Sequence, residues 1–78
     1  MTFQIVGPIE QIQVIATGRS VRISKHLRQK FGGRRWRKMK GFASIKLDDG
    51  SIRKAELHWF EGHGIGRVYV TYKRSVSR

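Results

Sequence analysis

Hydrophobic positions change their spacing along the chain, and each spacing predicts a different element. From Gly41 onward the period is two: Ala43, Ile45 and Leu47 alternate with Phe42, Ser44 and Lys46. After Asp49-Gly50, Ala55, Leu57 and Trp59 alternate with Lys54, Glu56, His58 and Phe60. Alternation of this kind marks half-buried strands, and the Asp-Gly pair between them marks a β-hairpin. A two-residue turn would set Ile45 opposite Lys54 and Ala43 opposite Glu56, mixing apolar and charged residues on one face. An odd-length loop with Gly50 in the left-handed region instead puts Ala43 and Ile45 on the Ala55/Leu57 face, so the odd loop is predicted. A last strand is expected from Arg67 to Lys73, where Val68, Val70 and Tyr72 alternate with polar or amphipathic neighbours, and residues 74–78 are expected to fray.

Upstream, Ile23, Leu27 and Phe31 recur every fourth residue. This is a helical stripe, with Ser20 or Ser24 available as a cap and Gly32 placed to end it. Such a helix lays its stripe on the core and turns Arg22, Lys25, Arg28 and Lys30 outward. Before it, Ile12, Val14 and Ala16 alternate with Gln11, Gln13 and Ile15, which reads as a strand ended by Thr17-Gly18; the spacing of Ile9, Ile12 and Ile15 also permits a helix. Gly7-Pro8 punctuates the N-terminus, and there is no repeat, low-complexity segment or internal linker. The predicted fold is a small single α+β domain over residues 1–78: an N-terminal strand and a short helix followed by a three-stranded antiparallel β-meander.

Length limits what this domain can hold. A chain of 78 residues buries only about 60 to 65% of its unfolded surface. Without cysteine, disulfides and thiolate zinc sites are excluded. The beginning lacks a basic segment followed by an unbroken apolar run, and no apolar run is long enough to span a bilayer, so a cytoplasmic protein with no membrane partner is expected.

Charge changes the picture most. Seventeen Lys and Arg against five Asp and Glu give +12, and ten of those cations lie between Arg19 and Lys40, inside a stretch with no acid from Glu10 to Asp48. A patch this basic could be a solvated face that keeps a small protein soluble. Its self-repulsion favours a polyanionic partner instead. Arginine outnumbers lysine there and Trp36 lies within "GGRRWRKMK". Guanidinium forks match phosphate and an indole stacks on bases, which favours RNA over DNA. Arg28, Arg34, Arg35, Arg37, Lys38 and Lys40, with Arg53 and Lys54 on the hairpin, are the expected phosphate contacts, and Trp36 the expected stacking residue. An acidic protein is the other partner such a surface suits.

The stretch "AELHWFEGHGIGRVYVTY" concentrates the remaining chemistry. On a regular strand Lys54, Glu56, His58 and Phe60 form one row on a wet face, joined by Tyr69, Thr71 and Lys73 from one neighbour and by Phe42, Ser44 and Lys46 from the other. Metal-independent RNA cleavage needs a base for the 2′-hydroxyl, an acid for the leaving oxygen and cations for the phosphorane. His58 with Glu56, near lysine and arginine, can supply these roles. The competing reading pairs Glu56 with Lys46, Lys73 or Arg53 and leaves His58 beside Phe60. In "EGHGIG", Gly62, Gly64 and Gly66 permit positive φ, and His63 is either a second proton-transfer group or an exposed residue of a wide loop. The motif is not a dinucleotide fingerprint, and a metal on His58, Glu61 and His63 is disfavoured because His58 and Glu61 point to opposite faces in a positive environment. No cofactor or metal is expected.

The run "WRKMKGFASIKLDDGSIRKAELHWFEGHGIGRVYVTYKR" resembles short bacterial and archaeal proteins that share a "KG-A-V-L-DG…AE-HWYE-HGIG…KIK" pattern, and it covers about half of the chain. Those proteins are similar in element order to the barnase, colicin and bacterial ribonuclease-toxin group, in which a helix precedes an antiparallel sheet bearing the catalytic residues. The resemblance implies a metal-independent endoribonuclease, with Glu56, His58, Glu61 and His63 at the "E-HWYE-H" positions and Lys73 at the terminal basic position, and with an acidic antitoxin as partner. Phe60 stands where tyrosine is usual, and Val70-Thr71 replace a more polar stretch, so tyrosine chemistry is absent there. The alternative is a non-catalytic RNA- or DNA-binding module or a protein-interaction subunit using the same basic patch.

Overall fold

The computed structural model describes residues 3–76. In chain order these form β1 (Phe3–Ile5), β2 (Glu10–Thr17), a 3-10 turn (Gly18–Ser20), α1 (Ser24–Phe31), β3 (Arg37–Leu47), β4 (Ile52–Gly62) and β5 (Gly66–Ser75). The α+β order read from the sequence is therefore the observed one, with one addition at the start. The single expected N-terminal strand is a pair, β1 and β2. Both lie antiparallel on the same edge of β3, β1 against Ile45–Leu47 and β2 against Arg37–Phe42. Gly7-Pro8 separates them, because proline has no N–H to give to a ladder. Beyond β3 the sheet continues β4, β5, all antiparallel.

The β3–β4 hairpin has the odd loop. Leu47 and Ser51 close it with a backbone hydrogen bond of 2.9 Å, and Gly50 adopts φ 87° while its N–H reaches back to Leu47 O at 2.9 Å. Ala43 consequently faces Ala55, and both are fully buried. The Asp49 carboxylate accepts from the Ser51 N–H at 2.9 Å and its hydroxyl at 2.7 Å, which fixes the turn and lowers the Asp49 pKa.

Helix α1 ends as its sequence predicts: Gly32 takes φ 73° and its N–H bonds Arg28 O. Its start differs. Ile23 is the N-cap with no side-chain hydrogen bond, so neither Ser20 nor Ser24 caps it. The 3-10 turn leads in instead, through Ser24 N–H to Val21 O.

The larger difference concerns the core. Met39, Ala43, Ile45, Ala55, Leu57 and Trp59 form one buried cluster, covered by Phe3, Ile5, Ile9 and Tyr72. Val21, Leu27 and Trp36 form another, with Ile23, Phe31, Phe60 and Val68 packed against it. Trp59 and Phe60 are neighbours on one strand and so point to opposite faces. The helix therefore covers part of the face expected to be wet, and Phe60 lies beneath it. Two interruptions of the β4–β5 ladder permit this, one between Glu56 and Leu57 and one between His58 and Phe60. Bulges bend a strand and increase its twist, so a long hairpin curls and each end offers a different concave face.

The last strand also extends further than expected. β5 runs to Ser75 and the Val76 N–H donates to Lys54 O at 2.8 Å, so residues 74–76 belong to the sheet because pairing with β4 continues past Lys73. Residues 77–78 of the expected frayed end lie outside the described residues.

Candidate functional site

On β4, Glu56 and His58 are two residues apart and share a face, with Lys40 opposite His58 on β3 and Thr71 opposite it on β5. The His58 Nε2 lies 2.8 Å from Glu56 Oε2, and Arg74 Nε donates to Oε1 at 2.9 Å. Glu56 is 8% exposed, the one buried charged residue among those described. A buried carboxylate is tolerated only when its oxygens are partnered, and here both are. The hydrogen bond from His58, then the bond and charge of Arg74, then the charge of Lys40 hold its pKa below the ordinary carboxyl value. Because Glu56 is ionised, the shared hydrogen sits on His58 Nε2. In neutral His58 the lone pair is then on Nδ1, which is buried and has no hydrogen-bond partner among the described residues.

The structure thus brings Glu56 and His58 together, but not with Lys73. The ladder interruption after Glu56 places Arg74 opposite it and leaves Lys73 as the unpaired, exposed extra residue. None of Lys46, Lys73 or Arg53 is the partner of Glu56. Arg53 lies opposite Ile45, on the face away from Glu56, and Lys54 pairs with Glu10 at 3.3 Å.

His63 belongs to a different place. It lies five residues beyond His58 at the β4–β5 tip, about 16 Å along an extended chain. Its backbone N–H donates to Arg34 O at 3.4 Å. Together with Thr17, Gly18, Arg35, Trp36 and Arg37 it lines a cleft of about 470 Å³.

Trp36 does not stand out as a stacking residue. The side chain is 2% exposed, its Nε1 donates to Gly32 O at 3.1 Å, and its ring packs on Phe31 and over Gly62. A β-carbon on Gly62 would sit 2.9 Å from two ring atoms, so only glycine allows the strand this close to the indole. Lys38 lies over the Phe60 ring at 5.9 Å. Arg28, Arg34 and Arg35 are exposed, whereas Lys40 is half-buried.

Tyr69, expected only as one member of the wet face, and Arg74, placed in the expected frayed end, are two contributors whose roles the sequence did not show. Tyr69, 38% exposed, is the accessible aromatic in this region. Its hydroxyl meets His26 Nε2 at 2.8 Å, its ring packs edge-on to Phe31 at 5.4 Å, and Lys30 lies 5.9 Å over it. Arg74 is the other. His26 is exposed on α1, and Tyr69 reaches it from a bulge with φ 54°, of which plain alternation carries no sign.

The acids are consumed locally. Glu61 accepts from Trp59 Nε1 at 2.7 Å and pairs with Arg37 at 3.4 Å and Arg67 at 3.8 Å. The ion pairs of the described residues involve Arg37, Lys54, His58, Arg67 and Arg74. Arg22, Lys25, Arg28, Arg34 and Arg35, all exposed, have no carboxylate partner among the described residues. No protein-family model matches this chain, and neither a curated protein nor a solved structure matches it. The resemblance to the short bacterial and archaeal proteins therefore rests on the residue pattern alone, and that to the ribonuclease-toxin group on element order alone.

Proposed function

We propose that this protein binds nucleic acid, with RNA as its ligand. The observation that carries the reading is the exposed set Arg22, Lys25, Arg28, Arg34 and Arg35 on α1 and the segments that flank it, which has no carboxylate partner among the described residues. Uncompensated arginines on one segment of a +12 chain favour a phosphate backbone. Tyr69, beside Lys30 and His26, takes over the stacking role first given to Trp36, and stacking on exposed aromatics suits unpaired RNA bases. A band-shift titration with a short single-stranded RNA and the matching DNA duplex tests this: tighter binding of the RNA, weakened by Arg34→Gln and by Tyr69→Ala, is expected. Duplex bound as tightly as RNA would remove the preference, and no retardation of either would remove the function.

A second reading, a metal-independent endoribonuclease neutralised by an acidic antitoxin, is favoured by one observation, the Glu56–His58 pair at 2.8 Å beside Lys40 and Arg74. Nε2 is taken by Glu56 and Nδ1 is shielded, so His58 meets a 2′-hydroxyl only if one of these positions opens when RNA docks. Incubating labelled RNA in EDTA decides between the readings. Fragments with 2′,3′-cyclic phosphate ends that vanish in His58→Ala support cleavage, and intact RNA supports binding alone.

A further inference from the structure

We infer that the cleft lined by Thr17, Arg35, Arg37 and His63 is a subsite for the terminal phosphate monoester of a nucleic-acid strand, an assignment that rests on the nucleic-acid reading above. Three separate segments wall it: the end of β2, the loop entering β3 and the β4–β5 tip. They are fastened to one another before any ligand arrives. Gly18 N–H donates to Trp36 O at 3.3 Å, His63 N–H donates to Arg34 O at 3.4 Å, and the Trp36 ring lies on Gly62. A cleft that is built in advance binds without the ordering cost a mobile loop incurs.

Its chemistry is that of an anion site. Arg35 and Arg37 bring two guanidinium groups, His63 an imidazole and Thr17 a hydroxyl, and no acid among the described residues lines the cleft. Glu61 pairs with Arg37 and is itself shared with Trp59 and Arg67, so it orients Arg37 without neutralising the site. Arg35 holds φ 56°, a left-handed conformation unfavourable for arginine. Strain of this kind persists where the surrounding structure enforces it, and it collects at ligand sites. Gly32 and Gly33, one residue further back across Arg34, are the residues suited to positive φ, yet the arginine is also held there.

Charge count selects the form of phosphate. An internal diester carries a single negative charge, whereas a monoester carries roughly 1.5 to 2 at neutral pH and offers three acceptor oxygens. Two guanidinium groups with an imidazole and a hydroxyl fit the latter, because guanidinium binds phosphate oxygens in pairs. The volume, about 470 Å³, is within the range of small-ligand pockets and admits a single terminal nucleotide.

The test compares short RNAs of one sequence bearing a 5′-phosphate, a 3′-phosphate or hydroxyls at both ends. Binding is read by the retardation of labelled RNA with wild-type protein, so the central comparison needs no variant to fold. The expected result is about a tenfold tighter complex with one phosphate-ended RNA, and the two phosphorylated arms show which end is read. His63→Gln and Thr17→Val should each erase the preference while retaining the hydroxyl-ended complex. Equal binding of all three RNAs by the wild type would overturn the subsite and leave the nucleic-acid reading standing. If no RNA binds, both fall together.

Discussion

Trp36 sits among arginines in the sequence and among apolar side chains in the fold, and truncating it separates the two roles. In Trp36→Ala the indole leaves a cluster of Val21, Leu27, Phe31 and Phe60, and Gly62 loses the ring it packs against. Truncating a buried aromatic costs about 3 to 5 kcal/mol. At about 0.05 to 0.15 kcal/mol per residue, a domain of this length has only about 4 to 12 kcal/mol in total. With a urea dependence near 1 kcal/mol per molar, the unfolding midpoint should fall by about 3 M or more. Trp59, fully buried in the other cluster, remains as the fluorescent reporter. Trp36→Phe keeps a ring beside Phe31 but loses the bond to Gly32 O. It should cost about 1 to 3 kcal/mol and leave a folded protein whose RNA affinity is within about twofold of wild type. A Trp36→Phe protein with an unchanged midpoint and sharply weaker RNA binding would refute the burial argument and restore the indole as a stacking residue.

Further outcomes follow from the same contacts. Glu56 is held below the ordinary carboxyl value of 4.5 by His58 first and Arg74 next, so its contribution is present above that value and is lost as pH falls through the lowered native one. Glu56→Gln should flatten the acid limb of a plot of melting temperature against pH, and superimposable limbs would contradict this. Gly62→Ala drives a β-carbon to 2.9 Å from the Trp36 ring and should cost about 1 to 3 kcal/mol by overpacking. Gly64→Ala meets no atom within 4 Å but keeps φ 77°, so it should cost about 1 kcal/mol through backbone strain alone. Thermal melts that rank the two in the opposite order would count against the packing described. For RNA binding, each phosphate contact removed should lessen the slope of log affinity against log salt by about 0.7 for a single strand; Arg34→Gln with an unaltered slope would exclude that residue from the interface.

The elements that were legible in the sequence are those fixed by local periodicity and by glycine. Gly50 and the alternation on either side of it specified both the hairpin and its odd loop, and Ile23, Leu27 and Phe31 specified the helix that Gly32 ends. The pairing of Glu56 with His58 was legible too, since a strand puts alternate residues on one face. What the pattern did not contain was the pair of ladder interruptions in β5. An extra residue in a strand has no characteristic composition, yet it exchanged Lys73 for Arg74 opposite Glu56 and turned Tyr69 toward His26. Trp36 misled for another reason. Cations surround it in sequence, but Trp36 ends the loop entering β3 with its side chain buried against Phe31, and Gly62 offers the indole a place with no side chain in between.

Strand β4 has a property that bears on how the molecule comes into being. Leu57 and Trp59 complete the cluster on one side of it and Phe60 belongs to the cluster on the other. The buried trio of the second cluster, Val21, Leu27 and Trp36, precedes this strand, but Phe60 and Val68, which pack against it, do not. During vectorial synthesis the N-terminal half, with its helix and most of its cations, therefore stays incompletely covered until Phe60 has been made. Pairings between segments distant in sequence are slow to form, so both clusters are completed late, by the same strand.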